Sequence, residues 1–109
     1  HYGEDWCRMY FRRSLEETVA FLTQRAKDIG LHGVVLPGTC LRAVKESDLI
    51  KAVPGIRMEE FTDDRHKQEV TPEFAAQNGA MIVVCGSPIM KVPDKISALR
   101  QVLVRLETK

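Results

Sequence analysis

The chain has 109 residues, 44% apolar and 28% charged, with 16 Lys and Arg against 15 Asp and Glu. This length and composition fit one folded domain rather than a disordered chain. A net charge of +1 provides no general attraction to nucleic acid, and no stretch approaches the roughly 20 apolar residues of a membrane-spanning helix, so we expect neither partner. The widely spaced cysteines form no CxxC pair, and we expect them reduced, as in the cytoplasm.

Residues 1–13 form a segment rich in aromatic and basic side chains. Four aromatic residues alternate with three arginines: Tyr2, Trp6, Tyr10, Phe11, Arg8, Arg12 and Arg13. Such a mixture can stack on bases and contact phosphates. Without a wider basic stripe, we favour an amphipathic segment that covers the core or seals a contact with another chain.

From residue 14, helix signals alternate with short apolar runs. Ser14 and Glu17 have the spacing of a capping box, and Gly30 ends the helix that they begin. The apolar face of this helix repeats at steps of three and four residues: Leu15, Val19, Leu22, Ala26 and Ile29. The run 33–36 predicts a strand buried on both faces. A short helix over 39–46 follows, with Leu41 and Val44 pointing inward.

The second half of the chain repeats this alternation. Residues 49–53 predict a second strand, which Pro54 and Gly55 stop. Thr71 and Pro72 are typical of a helix start, with a capping hydroxyl and a first-position proline. Residues 81–85 predict a third buried strand. The last predicted helix, 93–106, carries one apolar face at helical steps: Ile96, Leu99, Leu103 and Leu106.

The predicted fold class is α/β, with about three parallel strands that alternate with helices. Strands separated by helices are joined by right-handed crossovers and form a parallel sheet. The outer strands of so small a sheet are open edges. We therefore expect something outside this chain to cover them.

Ligands of parallel α/β folds lie at the carboxyl ends of the strands. A glycine stands at each predicted end: Gly38, Gly55 and Gly86. The pair Gly86-Ser87 is the best phosphate candidate, because two neighbouring N–H groups and a hydroxyl converge there; a plain tight turn is the alternative. The long segment 56–70 has little to bury, and such loops are usually functional or disordered.

Several motifs, taken in order, resemble the C-terminal part of the orotidine 5'-phosphate decarboxylase family: GLHGVV at 30–35, VPGIR at 53–57, VTP at 70–72 and IVVCGSPI at 82–89. The resemblance implies a partial TIM-type (β/α) barrel in which residues 1–109 form one half-barrel-like domain. A complete (β/α)8 barrel needs about 250 residues. The family removes CO2 from orotidine monophosphate without cofactor or metal, usually as a homodimer.

The resemblance also implies positions for a phosphate ligand, several of which depart from the family pattern. Segment 56–70 corresponds to the loop that closes over the phosphate, Pro54 and Gly55 lie at the pocket mouth, and Gly86 and Ser87 face the phosphate. Ser87 replaces the family's phosphate-binding arginine, and His66 replaces the loop glutamine. Likewise, Pro37 replaces the serine that reads the pyrimidine. The catalytic Asp-x-Lys-x-x-Asp array is absent from this sequence.

Two hypotheses follow. The first is a C-terminal fragment or divergent relative of the decarboxylase, which contributes the phosphate-binding end of the barrel and is inactive alone. The second is a non-enzymatic half-barrel remnant that binds a phosphate or a protein. The ligand that we expect is a nucleoside monophosphate or another small phosphate. As partner, both predict a second copy of the chain or the missing N-terminal half of the barrel.

Overall fold

The structure, a computed structural model, describes residues 3–58 and 69–107. The elements in chain order are α1 (Glu4–Phe11), α2 (Leu15–Asp28), β1 (Gly33–Val35), a 3-10 helix (Gly38–Val44), β2 (Ile50–Val53), α3 (Pro72–Gln77), β3 (Ile82–Val83), α4 (Ser87–Met90) and α5 (Lys95–Glu107). This order confirms the predicted alternation of helices and strands. In these ranges, no helix has the length and apolarity needed to cross a membrane.

The three strands form one parallel sheet in the order β1-β2-β3. Val35 stands opposite Ala52, which stands opposite Ile82. The predicted three-stranded α/β sheet is therefore confirmed, although each strand is shorter than the apolar run that predicted it. Because consecutive strands are neighbours, the loops at their carboxyl ends lie along one edge of the sheet.

Two predicted helix starts are confirmed in atomic detail. The hydroxyl of Ser14 accepts a hydrogen bond from the Glu17 amide at 3.1 Å, and the Glu17 carboxylate accepts one from the Ser14 amide at 3.2 Å. Hydrogen bonding of the Glu17 carboxylate to the Ser14 side chain, and next to the Ser14 amide, lowers the pKa of Glu17. At α3, the Thr71 hydroxyl accepts a hydrogen bond from the Phe74 amide, and Pro72 takes the first helical position.

The core lies between the helices and one face of the sheet. Its buried members come from the 3-10 helix, the ends of β1 and β2, and α3: Leu36, Cys40, Leu41, Val44, Val53, Ile56 and Ala75. The inward positions predicted for Leu41 and Val44 are confirmed. The N-terminal segment contributes α1, in which Cys7 is buried. The Glu4 carboxylate of α1 accepts a hydrogen bond from the Leu15 amide at the start of α2.

The apolar face predicted for the last helix is mostly exposed in the structure. In α5, Val102 is buried, whereas Ile96, Leu99 and Leu103 are exposed, Ile96 by 66%. The apolar face of α2 is also partly exposed, at Leu22 and at Ile29, which caps the helix. Helical periodicity identifies side chains that share a face, but it does not say whether that face meets a partner.

The prediction of strands buried on both faces is wrong for the described chain. The helices cover one face, and the other carries exposed apolar side chains, among them Val35 at 75% and Ile82 at 51%. Val84 and Ile50 share this face by the alternation of side chains along a strand, and both are exposed. We call Val35, Ile50, Ile82 and Val84 the open sheet face.

Candidate functional site

The candidate site is the carboxyl edge of the sheet, where the turns after the three strands meet. The parallel order places Pro37-Gly38, Pro54-Gly55 and Gly86-Ser87 after β1, β2 and β3. Three of the sequence-predicted site residues, Pro54, Gly55 and Gly86, thus follow adjacent strands on this edge. The Ser87 backbone begins α4. His66 lies outside the described residues.

Gly38 allows the end of segment 56–70 to approach the sheet closely. A Cβ on this residue would lie 2.3 Å from Cγ2 of Val70 and 3.2 Å from Cγ1 of Val53. No side chain fits between these atoms, so only glycine permits the approach. The contact brings Val70 to the carboxyl edge.

Gly55 shapes the turn after β2. Its φ of +69° lies in the left-handed region, which L side chains rarely adopt, and a Cβ would lie 3.1 Å from Cγ of Glu69. Immediately beyond it, Ile56 forms a parallel bridge with Val70, and the Arg57 amide donates to the Val70 carbonyl at 3.0 Å. The Arg57 guanidinium meets the Glu69 carboxylate at 2.5 Å.

These contacts hold the two ends of segment 56–70 together. We call residues 56–58 and 69–70 the stem. Within it, Ile56 is fully buried in the core and the Glu69 side chain is largely buried. The predicted long loop therefore has paired ends in the structure. The interpretation of the interior of the segment as a phosphate loop concerns 59–68, outside the described residues.

Gly86, in the turn after β3, has open space on the side where a side chain would lie. Its carbonyl accepts hydrogen bonds from the amides of Ile89 and Met90, at 3.1 and 2.8 Å, which turns the chain into α4. A Cβ on Gly86 would meet no atom within 4 Å. Pro88 has no N–H, so Gly86 and Ser87 are the backbone donors available at this turn. The Gly86 carbonyl thus closes a short helical turn, and both the phosphate site and the purely structural turn stay predictions for Gly86-Ser87.

A second charged contact near the site joins residues that no sequence pattern connects. Arg105 of α5 donates from Nε to both carboxylate oxygens of Glu73, at 2.8 and 2.9 Å, and from Nη1 to the carbonyl of Met58 in the stem. The hydrogen bond from Arg105 lowers the pKa of Glu73. The partners are 32 residues apart, and no periodicity or motif links positions at that separation.

Other potentially reactive side chains either lie away from this edge or are held in an unreactive form. Lys51 is 2% exposed, and its amine donates to the Ser47 carbonyl at 2.6 Å, near the amino-terminal end of β2. Burial raises the pKa of Cys40 and of Cys85, which disfavours the nucleophilic thiolate. Among residues 3–58 and 69–107, no three His, Cys, Asp or Glu side chains group as metal ligands.

The comparisons with known proteins agree on one family. The model of the "Orotidine 5'-phosphate decarboxylase / HUMPS family" matches residues 4–102. An orotidine 5'-phosphate decarboxylase of Opitutus terrae is 39% identical over 98 residues, which are 87% of this chain and 43% of the relative. One from Moorella thermoacetica is 31% identical over 104 residues, 93% of this chain and 41% of the relative.

A solved structure supports the fold. The crystal structure of orotidine 5'-phosphate decarboxylase from Lactobacillus acidophilus superposes with a TM-score of 0.76 at 24% identity, covering 97% of this chain and 45% of that one. This likeness confirms the predicted partial (β/α)-barrel fold. The chain spans less than half the length of the curated relatives described above. It belongs to the orotidine 5'-phosphate decarboxylase / HUMPS family.

Proposed function

We propose that this chain supplies the phosphate-binding end of a barrel that converts orotidine monophosphate to uridine monophosphate and CO2. Alone, the chain does not perform this reaction. The observation that carries the proposal is the open sheet face, because a barrel interior is a layered core of such side chains. Complementary strands cover the open sheet face and supply the catalytic residues.

The open sheet face has the composition of a barrel interior. Its four members are Val and Ile, the branched residues that dominate the layers inside (β/α) barrels. Full burial of one such side chain contributes about 1.5–3 kcal/mol, so strands that cover the face are strongly favoured. β1 and β3 each expose a free edge at which a parallel strand can add.

The exposed stripe of α5 supports the same arrangement. Ile96, Leu99 and Leu103 recur on one side of this helix and are exposed. α5 follows β3, so in a closed barrel it packs against the strand that neighbours β3. Met81, exposed at the start of the β3 edge, would be covered by the same addition.

The chemistry divides between this chain and its complement. No Asp-x-Lys-x-x-Asp array occurs in these 109 residues, so the carboxylates and lysine that act on the departing CO2 and the carbanion come from the complementary strands. This chain holds the ligand phosphate through the Gly86 and Ser87 amides. Without the guanidinium of the family's arginine, this contact lacks a charge-assisted bidentate bond, and we expect millimolar affinity.

Complementation tests the decarboxylase role. The chain is assayed for loss of orotidine monophosphate alone and mixed with the part of the Opitutus terrae relative that it does not match. We expect no turnover alone and turnover in the mixture. Ile82→Lys, on the open sheet face, should abolish the gain, while Met9→Lys, exposed on α1, should preserve it. Turnover by the chain alone, or equal behaviour of both variants, would refute the proposal.

Ligand titration tests the phosphate role. Uridine monophosphate is titrated into the 15N-labelled chain, with uridine as the control that lacks phosphate. We expect saturable shifts at the Gly86 and Ser87 amides with the monophosphate only. Gly86→Ala places a methyl group in the open space without a clash and should weaken binding, while Gly3→Ala, equally unobstructed, should not. Shifts that are the same for uridine would count against phosphate recognition.

A further inference from the structure

Arg105 ties three separate parts of the chain together. Its Nε bonds both oxygens of Glu73, in the first turn of α3, and its Nη1 bonds the Met58 carbonyl in the stem. The Met58 sulfur also lies 3.6 Å from Nη1. The Arg105 side chain thus holds both Met58, near the start of segment 56–70, and Glu73, just after its end.

The chemistry of arginine suits this task. The planar guanidinium offers several donors in a rigid fork, so one group can satisfy a carboxylate and a carbonyl at once. Both side chains of the pair are about two-thirds buried, which limits screening by salt. The hydrogen bond from Arg105 lowers the pKa of Glu73, so its carboxylate stays charged to lower pH than a free glutamate does. The Arg105–Glu73 pair therefore provides a fixed anchor to which the Met58 carbonyl is attached.

The anchor reaches the candidate site through the stem. Met58 follows Arg57, whose amide and guanidinium are bound to Val70 and Glu69. Glu69 in turn lies against Gly55, the turn residue at the carboxyl edge. Displacement of Met58 would loosen the Arg57–Val70 bond and then the support of the Gly55 turn.

We propose that Arg105 is a positioning residue, which locks the stem to α5 and thereby holds the Pro54–Gly55 turn at the carboxyl edge. The relevance of this lock to ligand binding rests on the proposed function. The attachment of the stem to α5 is independent of that function. Arg105 reaches the site only through Met58 and Glu73, so it touches no reacting atom.

Hydrogen exchange measures the locking directly. The reporter is the Arg57 amide, bonded to Val70 in the stem, and the reference is the Leu36 amide, bonded to the Ala52 carbonyl in the sheet at 3.1 Å. In Arg105→Met, we expect Arg57 exchange to rise about tenfold relative to Leu36, since a hydrogen bond to a charged group is lost. Arg105→Lys keeps the charge but lacks the fork, and it should restore protection only in part.

The matched control is Arg100→Met, which removes an exposed arginine from the same helix and should leave the Arg57-to-Leu36 ratio unchanged. A ratio that is the same in Arg105→Met and wild type would overturn the proposal, because a merely structural role accelerates both amides equally.

Uridine monophosphate affinity is then compared in the same variants. If wild type does not bind it, the phosphate proposal fails while hydrogen exchange still decides the locking. If the stem is released and affinity is unchanged, the support of the turn is refuted.

Discussion

Gly38 is the position where an added methyl group meets the tightest described contacts. In Gly38→Ala, the new Cβ lies 2.3 Å from Cγ2 and 3.0 Å from Cγ1 of Val70, and 3.2 Å from Cγ1 of Val53. Val53 is fully buried in the core. Valine is branched at Cβ and has few allowed rotamers, so relief of the clash requires the 3-10 helix and Val70 to move apart.

The expected loss follows from two opposing effects. Overpacking of this kind costs about 1–3 kcal/mol. Replacement of glycine by alanine also lowers the conformational entropy of the unfolded chain, which raises the free energy of unfolding by about 0.4–1 kcal/mol. We therefore expect Gly38→Ala to lower the free energy of unfolding by about 1–2 kcal/mol. Gly86→Ala meets no atom within 4 Å, so we expect it to be neutral or slightly stabilising.

Urea unfolding followed by far-ultraviolet circular dichroism measures this difference. In Gly38→Ala, the urea concentration at half-unfolding should fall. The slope of the unfolding free energy against urea concentration should stay constant, as expected for a loss of stability without a change in the unfolded state. Val70→Ala removes both clashing methyl groups. In the double variant, the two losses should therefore be less than additive by about 1 kcal/mol. Equal stability of Gly38→Ala and Gly86→Ala, or strict additivity with Val70→Ala, would refute the packing argument.

Three further outcomes follow from the same structure. Ser14→Ala removes the capping hydroxyl of α2 and should lower the free energy of unfolding by about 1 kcal/mol in urea unfolding; no loss would contradict the capping role. Leu41→Ala empties a fully buried core position and should cost about 2–5 kcal/mol, whereas Leu103→Ala, at a half-exposed position, should cost far less; similar losses would argue against the described core. The folded-state pKa of Glu73 is lowered, chiefly by the hydrogen bond from Arg105, so its stabilisation is complete above the ordinary value of 4.5 and declines as pH falls through the folded value. Glu73→Gln should reduce the acid dependence of stability below about pH 4.5, and an unchanged pH profile would exclude a contribution from the pair.

The candidate site was predictable where local chemistry defines it. Turn residues at the ends of apolar runs predicted Pro54, Gly55 and Gly86 at the carboxyl edge, and parallel pairing brought their strands side by side. The stem and its anchor were not predictable. Arg57–Glu69 and Arg105–Glu73 join charged residues that, in sequence, look like ordinary solvated positions. Their pairing depends on how the helices and the ends of segment 56–70 pack.

The sequence by itself determined the alternation of helices and strands, the caps at Ser14 and Thr71, and the resemblance to the decarboxylase family. These are local properties, set by hydrogen bonding between near neighbours and by the spacing of apolar residues. Only the tertiary structure decided which apolar faces are covered. It buried Val102 rather than Ile96 in α5, and it left the open sheet face exposed. The reason is physical: periodicity defines a face, but burial requires a second surface, and for the open sheet face we propose that the complementary barrel strands supply it.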